Sequence, residues 1–161
     1  MSRVIYSLYI DIPEDDLDFF DKNIIKKDQT PTNINTKNQF KEHYSKIIDN
    51  KKRYADNIGV DFHLHENDKD FKYYVKYFKT HFPFITMYNI VNFYKLELMN
   101  NYLVDHDEVL YLDFDAMPVT KDNFFEVWDL SKGIAVYNNI KNIRQTHMPL
   151  DMVRGTIRSP S

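Results

Sequence analysis

Asp107-Glu108-Val109-Leu110-Tyr111-Leu112-Asp113-Phe114-Asp115-Ala116-Met117-Pro118 runs four apolar residues, Val109 to Leu112, straight into a pair of acids. A short unbroken apolar run predicts a strand buried on both faces, as in the middle of a parallel sheet. In open α/β sheets, ligands bind in the crevice beyond the carboxyl ends of the strands. Asp113 and Asp115 therefore stand where a ligand sits. One residue apart, they can approach a single cation as the chain turns out of the sheet. Carboxylate oxygens suit hard divalent ions such as Mg²⁺ and Mn²⁺, which often bridge a protein to substrate phosphates. The plainer reading is a solvated strand end. Agreement between the strand, the helix before it and a lysine on that helix favours the metal site.

That helix is predicted over Thr86 to Leu103, apolar nearly all round and so buried against the sheet. At about 100° per residue, Tyr88, Val91, Leu98, Met99 and Tyr102 share a stripe with Lys95 inside it. Either the Lys95 stem lies along the core with its ammonium in water, or the ammonium meets an anion at the ligand edge. Asp105-His106-Asp107 repeats the acidic spacing at the wrong end of the strand and reads as a solvated turn.

Upstream, Val4 to Ile10 (VIYSLYI) predicts the first buried strand, and Lys26 to Thr36, which contains Pro31, an exposed loop. A helix is expected from Thr36, where Thr36 and Gln39 match a capping box, with Phe40, Tyr44, Ile47, Ile48 and Ala55 on its apolar face and Gly59 as a left-handed cap. Val60 to Leu64 alternates as a second strand. His63 and His65 share a face there and read as satisfied or exposed histidines rather than a zinc pair. Glu66 to Lys76 predicts a loop or helical turn. Downstream, Thr120 to Leu130 predicts a short helix in which Trp128 belongs to the core. Ser131 to Gly133 reads as a turn and Gly133 to Tyr137 as a further strand. From residue 138 the pattern fades.

An apolar strand ending in Asp-x-Asp, in the form VLYLDFDAMP, resembles the metal-binding signature of GT-A fold glycosyltransferases, chiefly the glycogenin-like and galactosyltransferase-like enzymes. It is also similar to glycosyltransferase domains of large algal viruses. Phe93-Tyr94-Lys95-Leu96 resembles the Arg/aromatic-Leu-Lys pattern that those enzymes carry on the helix before the strand, although the preceding Arg is missing. The resemblance spans residues 4 to 137. It implies a Rossmann-like α/β fold with a mostly parallel sheet flanked by helices, in one domain over 1–161 whose residues 138–161 form an incomplete acceptor-side segment. It implies Mn²⁺ or Mg²⁺ on Asp113 and Asp115, a nucleotide sugar (a UDP-sugar first) as donor, and a glycan or glycoprotein acceptor. Lys95 reaches the sugar or diphosphate side, Asp113 also contacts the ribose, and Ser7, Tyr9 and Asp11 lie near the base and ribose. The short chain implies a donor-binding part of a longer polypeptide with further domains, or a truncated relative.

Composition narrows the alternatives. The net charge is −3 with no dominant basic stripe, which argues against nucleic acid as a partner. There is no cysteine, hence no disulfide framework or thiolate site, and this fits a reducing compartment. The amino terminus is not a secretory signal, and no window reaches the length of a membrane span. The expected location is the cytoplasm, that of the host for a viral chain. His147 and Asp151 follow residue 137 without a surrounding motif, so neither receives a role. A haloacid-dehalogenase-type phosphatase also places Asp-x-Asp after a strand, but uses Thr or Val where Met117 stands. A noncatalytic nucleotide-sugar-binding module is the remaining alternative.

Overall fold

A computed structural model describes residues 1–28, 31–128 and 133, with the side chains of Glu14 and residues 24–36 left aside. The chain divides after Lys121, into Met1–Lys121 and Asp122–Ser161. The first unit is α/β. Its strands β1 (Arg3–Leu8), β2 (Asp61–His65) and β3 (Glu108–Tyr111) form a parallel sheet in the order β2-β1-β3. Between β1 and β2 run α1 (Phe19–Asp28), α2 (Pro31–Glu42) and α3 (Tyr44–Ile58). Between β2 and β3 run α4 (Lys69–His81) and α5 (Met87–Asp105). This arrangement is compatible with a Rossmann-like fold.

Helices cover both faces of the sheet, so the strands are apolar on both sides. Tyr6 and Leu8 of β1 pack with Phe71 of α4 and with Met87, Ile90, Tyr94 and Leu98 of α5. On the other face, Ile47 and Ile48 of α3 pack with Phe62, Leu64 and Phe114. The middle strand is β1, with Val4 to Leu8 buried. Among the described residues β3 borders β1 alone, and its four residues, expected to be buried, are half-buried. An apolar run reports cover above and below the sheet, which helices give to an outer strand too. It carries no information about neighbours in the plane.

Several helix boundaries differ from expectation. Residues 26–28 and 31–36, expected as loop, are helical. Pro31 opens α2, where a missing N–H and a fixed φ are tolerated. Thr36 consequently sits inside α2 rather than at a cap, and the helix breaks at His43. Gly59 does close α3 in the left-handed region, with φ 69° and ψ 40°. Residues 69–81 form a full helix, because Phe71, Tyr74, Val75 and Phe78 recur at helical spacing among the charges, and Asp68 caps it by accepting from the Asp70 and Phe71 amides. In α5 the buried stripe is Met87, Ile90, Tyr94 and Leu98; Tyr88, expected on it, is exposed.

A partly buried charge cluster ties three helices together. Lys79 of α4 bonds Asp18 before α1 at 2.5 Å, Asp21 of α1 at 2.9 Å and the Ile85 carbonyl at 2.8 Å. The other oxygen of Asp21 accepts the Met87 amide at the start of α5, 2.6 Å away. On β2, the His65 Nε2 lies 2.8 Å from the Tyr102 hydroxyl, so this histidine is satisfied.

In the second unit, α6 (Phe124–Val127) is capped by Asn123 and is shorter than the predicted 120–130 helix. Trp128, expected in a core, is about half exposed. Except for Gly133, the turn and strand predicted over 131–137 and all of 138–161, including His147 and Asp151, lie outside the described residues. No helix among the described residues is long and apolar enough to cross a membrane.

Candidate functional site

The strand order fixes where a crevice opens. From β1 the chain moves to β2 on one side and later to β3 on the other, so the order reverses between β1 and β3. At such a switch point the segments leaving the two strands diverge and leave a cleft at their carboxyl ends. A cleft of about 300 Å³ lies there, lined by Leu8 at the end of β1 and Tyr9 to Asp11 after it, and by Tyr111 at the end of β3 and Asp113 to Asp115 after it. Lys37, Phe40 and Lys41 of α2 and Val91 and Lys95 of α5 complete it.

The Asp-Phe-Asp tripeptide straddles the boundary between core and solvent. Phe114 turns inward, 7% exposed, with its ring 4.3 Å from Tyr9, 5.5 Å from Phe40 and 5.9 Å from Tyr44. Asp113 and Asp115 on either side of it are exposed in the cleft. The buried ring thus pins the turn that presents both acids.

Asp113 is held from one side. Its Oδ1 accepts the Tyr111 hydroxyl at 2.6 Å and the Lys95 ammonium at 2.9 Å. Burial raises its pKa, but these two bonds and the charges of Lys95 and Lys51 outweigh it and keep the carboxyl below the usual range. Burial, followed by the bond to Asp113, pushes the Tyr111 phenol up. Lys95 lies over the Tyr111 ring, 5.2 Å from its centre. Its own carbonyl accepts the Tyr6 hydroxyl at 2.6 Å, which fixes α5 against β1. Lys95, expected either with its ammonium in water or as a buried cation paired with an anion, is partly buried beside the α5 stripe, and its ammonium pairs with the exposed Asp113.

The other expected residues divide. Tyr9 and Asp11 line the cleft, and Asp11 pairs with Lys41 at 2.8 Å. Ser7 does not line it. It is fully buried, and its hydroxyl donates to the Leu112 carbonyl at 2.6 Å, so it braces the end of β3 from within instead of meeting a base or ribose.

Sequence reasoning missed three lysines. Lys37 and Lys41 lie one turn apart on α2 and form a basic wall. Lys51 of α3 is fully buried beneath the cleft. Its ammonium donates to Ser7 Oγ at 3.0 Å, to the Leu112 carbonyl at 3.4 Å and to the Asp113 carbonyl. Burial pushes Lys51 down to about 8, against the opposing pull of Asp113 and Asp115. Lys51 stands four residues after Ile47, three after Ile48 and four before Ala55, inside the apolar stripe of α3. A lysine in that position is the signal that singled out Lys95.

On this concave, partly aromatic surface Asp11, Asp113 and Asp115 balance Lys37, Lys41 and Lys95, and Lys51 adds a buried ammonium behind it. Such a surface accepts an anion beside a flat ring. A hard cation would find the second oxygen of Asp113 and the carboxylate of Asp115. Among the described residues no three His, Cys, Asp or Glu side chains converge on one point. An ion held here would draw on two carboxylates and take its other ligands from water and from a bound phosphate, as Mg²⁺ usually does.

Comparison with protein-family models, curated proteins and solved structures finds no match to this chain.

Proposed function

We propose that this chain binds a nucleotide sugar through its diphosphate and transfers the sugar to a glycan or protein acceptor, as a metal-dependent glycosyltransferase. The observation that carries this reading is the meeting of Asp113, Asp115 and Lys95 with Tyr9 and Asp11 in one cleft at the β1/β3 switch point. Asp113 and Asp115 would hold Mn²⁺ or Mg²⁺, and the donor set fits: hard oxygen ligands, exposed, two in number. When bound, such an ion neutralises the charge that develops on a departing nucleoside diphosphate.

The remaining work falls to the chain's own residues. Lys95, oriented by Tyr111 and Asp113, faces the phosphates with a fixed positive charge that costs no reorganisation during bond breaking. Lys37 and Lys41 add charge from α2. Tyr9 and Phe40 offer ring faces to a base or sugar.

Each of these residues holds or orients a ligand, and none is assigned as the base that an inverting transfer needs. A binding module with the same ligand is therefore the second reading.

The test is a screen of nucleotide sugars for thermal stabilisation with and without Mn²⁺, followed by calorimetry on Asp115→Ala. Binding should require Mn²⁺ and be lost in the variant while the circular dichroism spectrum stays unchanged. Unchanged binding in Asp115→Ala would refute the reading. Binding of the donor without hydrolysis or transfer would favour the module.

A further inference from the structure

Lys51 is a cation buried where the sheet ends, and the fold does not require its charge. The Leu112 carbonyl already accepts the Ser7 hydroxyl at 2.6 Å, and the Asp113 carbonyl already accepts the Ala116 amide at 2.9 Å. Without the ammonium, neither carbonyl would be left orphaned. Burying an ammonium is costly unless an anion compensates. Among the described residues no carboxylate forms a direct ion pair with Lys51. The acids that act on it, Asp113 and Asp115, do so at a distance from the cleft side. Its Nζ lies 5.9 Å from the centre of the Phe114 ring, beneath the turn that presents those acids.

We infer that Lys51 is a positioning residue that supplies buried positive charge to the diphosphate subsite, holding the Leu112–Asp113 carbonyls inward while its field offsets an anion arriving in the cleft. This rests on the reading of the cleft given above. Lys51 does not line the cleft and so acts through the turn and through space. Screening by solvent is weak for such a group, because protein surrounds it on every side.

An electrostatic role and a purely structural one separate in sign. A positive charge beneath the acids opposes a bare cation and favours a phosphate. Removing it should weaken the anion and leave the cation as tight or tighter. Removing a structural brace should weaken both.

The experiment titrates wild type, Lys51→Met and Lys51→Cys with Mn²⁺ alone, and with UDP and with pyrophosphate in the presence of Mn²⁺, by calorimetry at fixed ionic strength. In Lys51→Met, the affinity for UDP and pyrophosphate should fall about tenfold, the scale of one poorly screened charge. Affinity for Mn²⁺ alone should be equal or higher. The chain contains no other cysteine, so aminoethylation of Lys51→Cys before refolding places a single ammonium at this site and should restore the phosphate affinity. Parallel losses for Mn²⁺ and the phosphates, or no change in either, would overturn the inference while leaving the cleft assignment in place. A wild type that binds neither phosphate would remove the cleft assignment and this inference with it.

Discussion

Replacing Phe114 with alanine should damage the molecule more than replacing either acid beside it. The ring is 7% exposed, so almost all of its apolar surface leaves water on folding. Burial of that size contributes about 1.5–3 kcal/mol. Truncation also leaves a cavity among Tyr9, Phe40 and Tyr44 and the Ile47–Ile48 pair, on elements that cannot all close in. Phenylalanine-to-alanine changes in such cores cost about 3–5 kcal/mol in total. Three ring neighbours place this site in the middle of that range, about 4 kcal/mol. At roughly 4 °C per kcal/mol for a unit of this size, the melting temperature should fall by roughly 15 °C. Urea unfolding of wild type, Phe114→Ala and Phe114→Leu measures the loss, and Mn²⁺–UDP calorimetry on the folded variants measures its effect on the acids. Leucine refills much of the volume and should recover half or more of the stability. If alanine cost less than about 1 kcal/mol, the ring would not be the anchor of the turn, and the account of how Asp113 and Asp115 are presented would be wrong.

Asp21→Ala should cost about 1–3 kcal/mol, chiefly because it orphans the buried Met87 amide, while Lys79 keeps Asp18 and the Ile85 carbonyl; an unfolding midpoint close to wild type would show that water replaces the lost bonds. His65 should titrate below its ordinary 6.5, since burial opposes its charge. A depressed histidine leaves stability whole above pH 6.5. Stability then declines as pH falls from 6.5 toward the lower folded-state value, because only the unfolded chain takes up the proton there. An NMR midpoint at or above 6.5 would contradict this, and His65→Gln should abolish that part of the pH dependence.

The parts of the fold that were legible in the sequence are those governed by local rules. Val4 to Leu8 and Val109 to Tyr111 read as strands because nothing interrupts their apolar runs, and Gly59 read as a cap because only glycine adopts that backbone cheaply. Helix α4 was hidden by its composition: six residues of KDFKYYVKYFKTH carry a charge or an imidazole, and its apolar stripe shows only when positions are counted in threes and fours. Pro31 misled because proline ends helices more visibly than it begins them. At the site, Asp113, Asp115 and Lys95 were legible because each sits at a position where its charge needs an explanation. Lys51 satisfied the same criterion and was passed over, since a gap in an apolar face attracts less notice than a break in a strand. The meeting of α2 with the cleft depends on long-range packing, so nothing in the spacing of Lys37 and Lys41 points to Asp113.

The bond from the Tyr6 phenol to the Lys95 carbonyl joins the central strand to the helix at the very residue whose ammonium faces the cleft. Sliding α5 along the sheet by even one residue would break that buried contact before it moved the ammonium. The frame therefore behaves as a dovetail joint, and the segments that leave β1 and β3 are the adjustable pieces. New ligand preferences could arise by exchanging exposed residues of those segments, such as Asp11, Ala116 and Met117, with Phe114 and the helix-to-strand registration carried over unchanged.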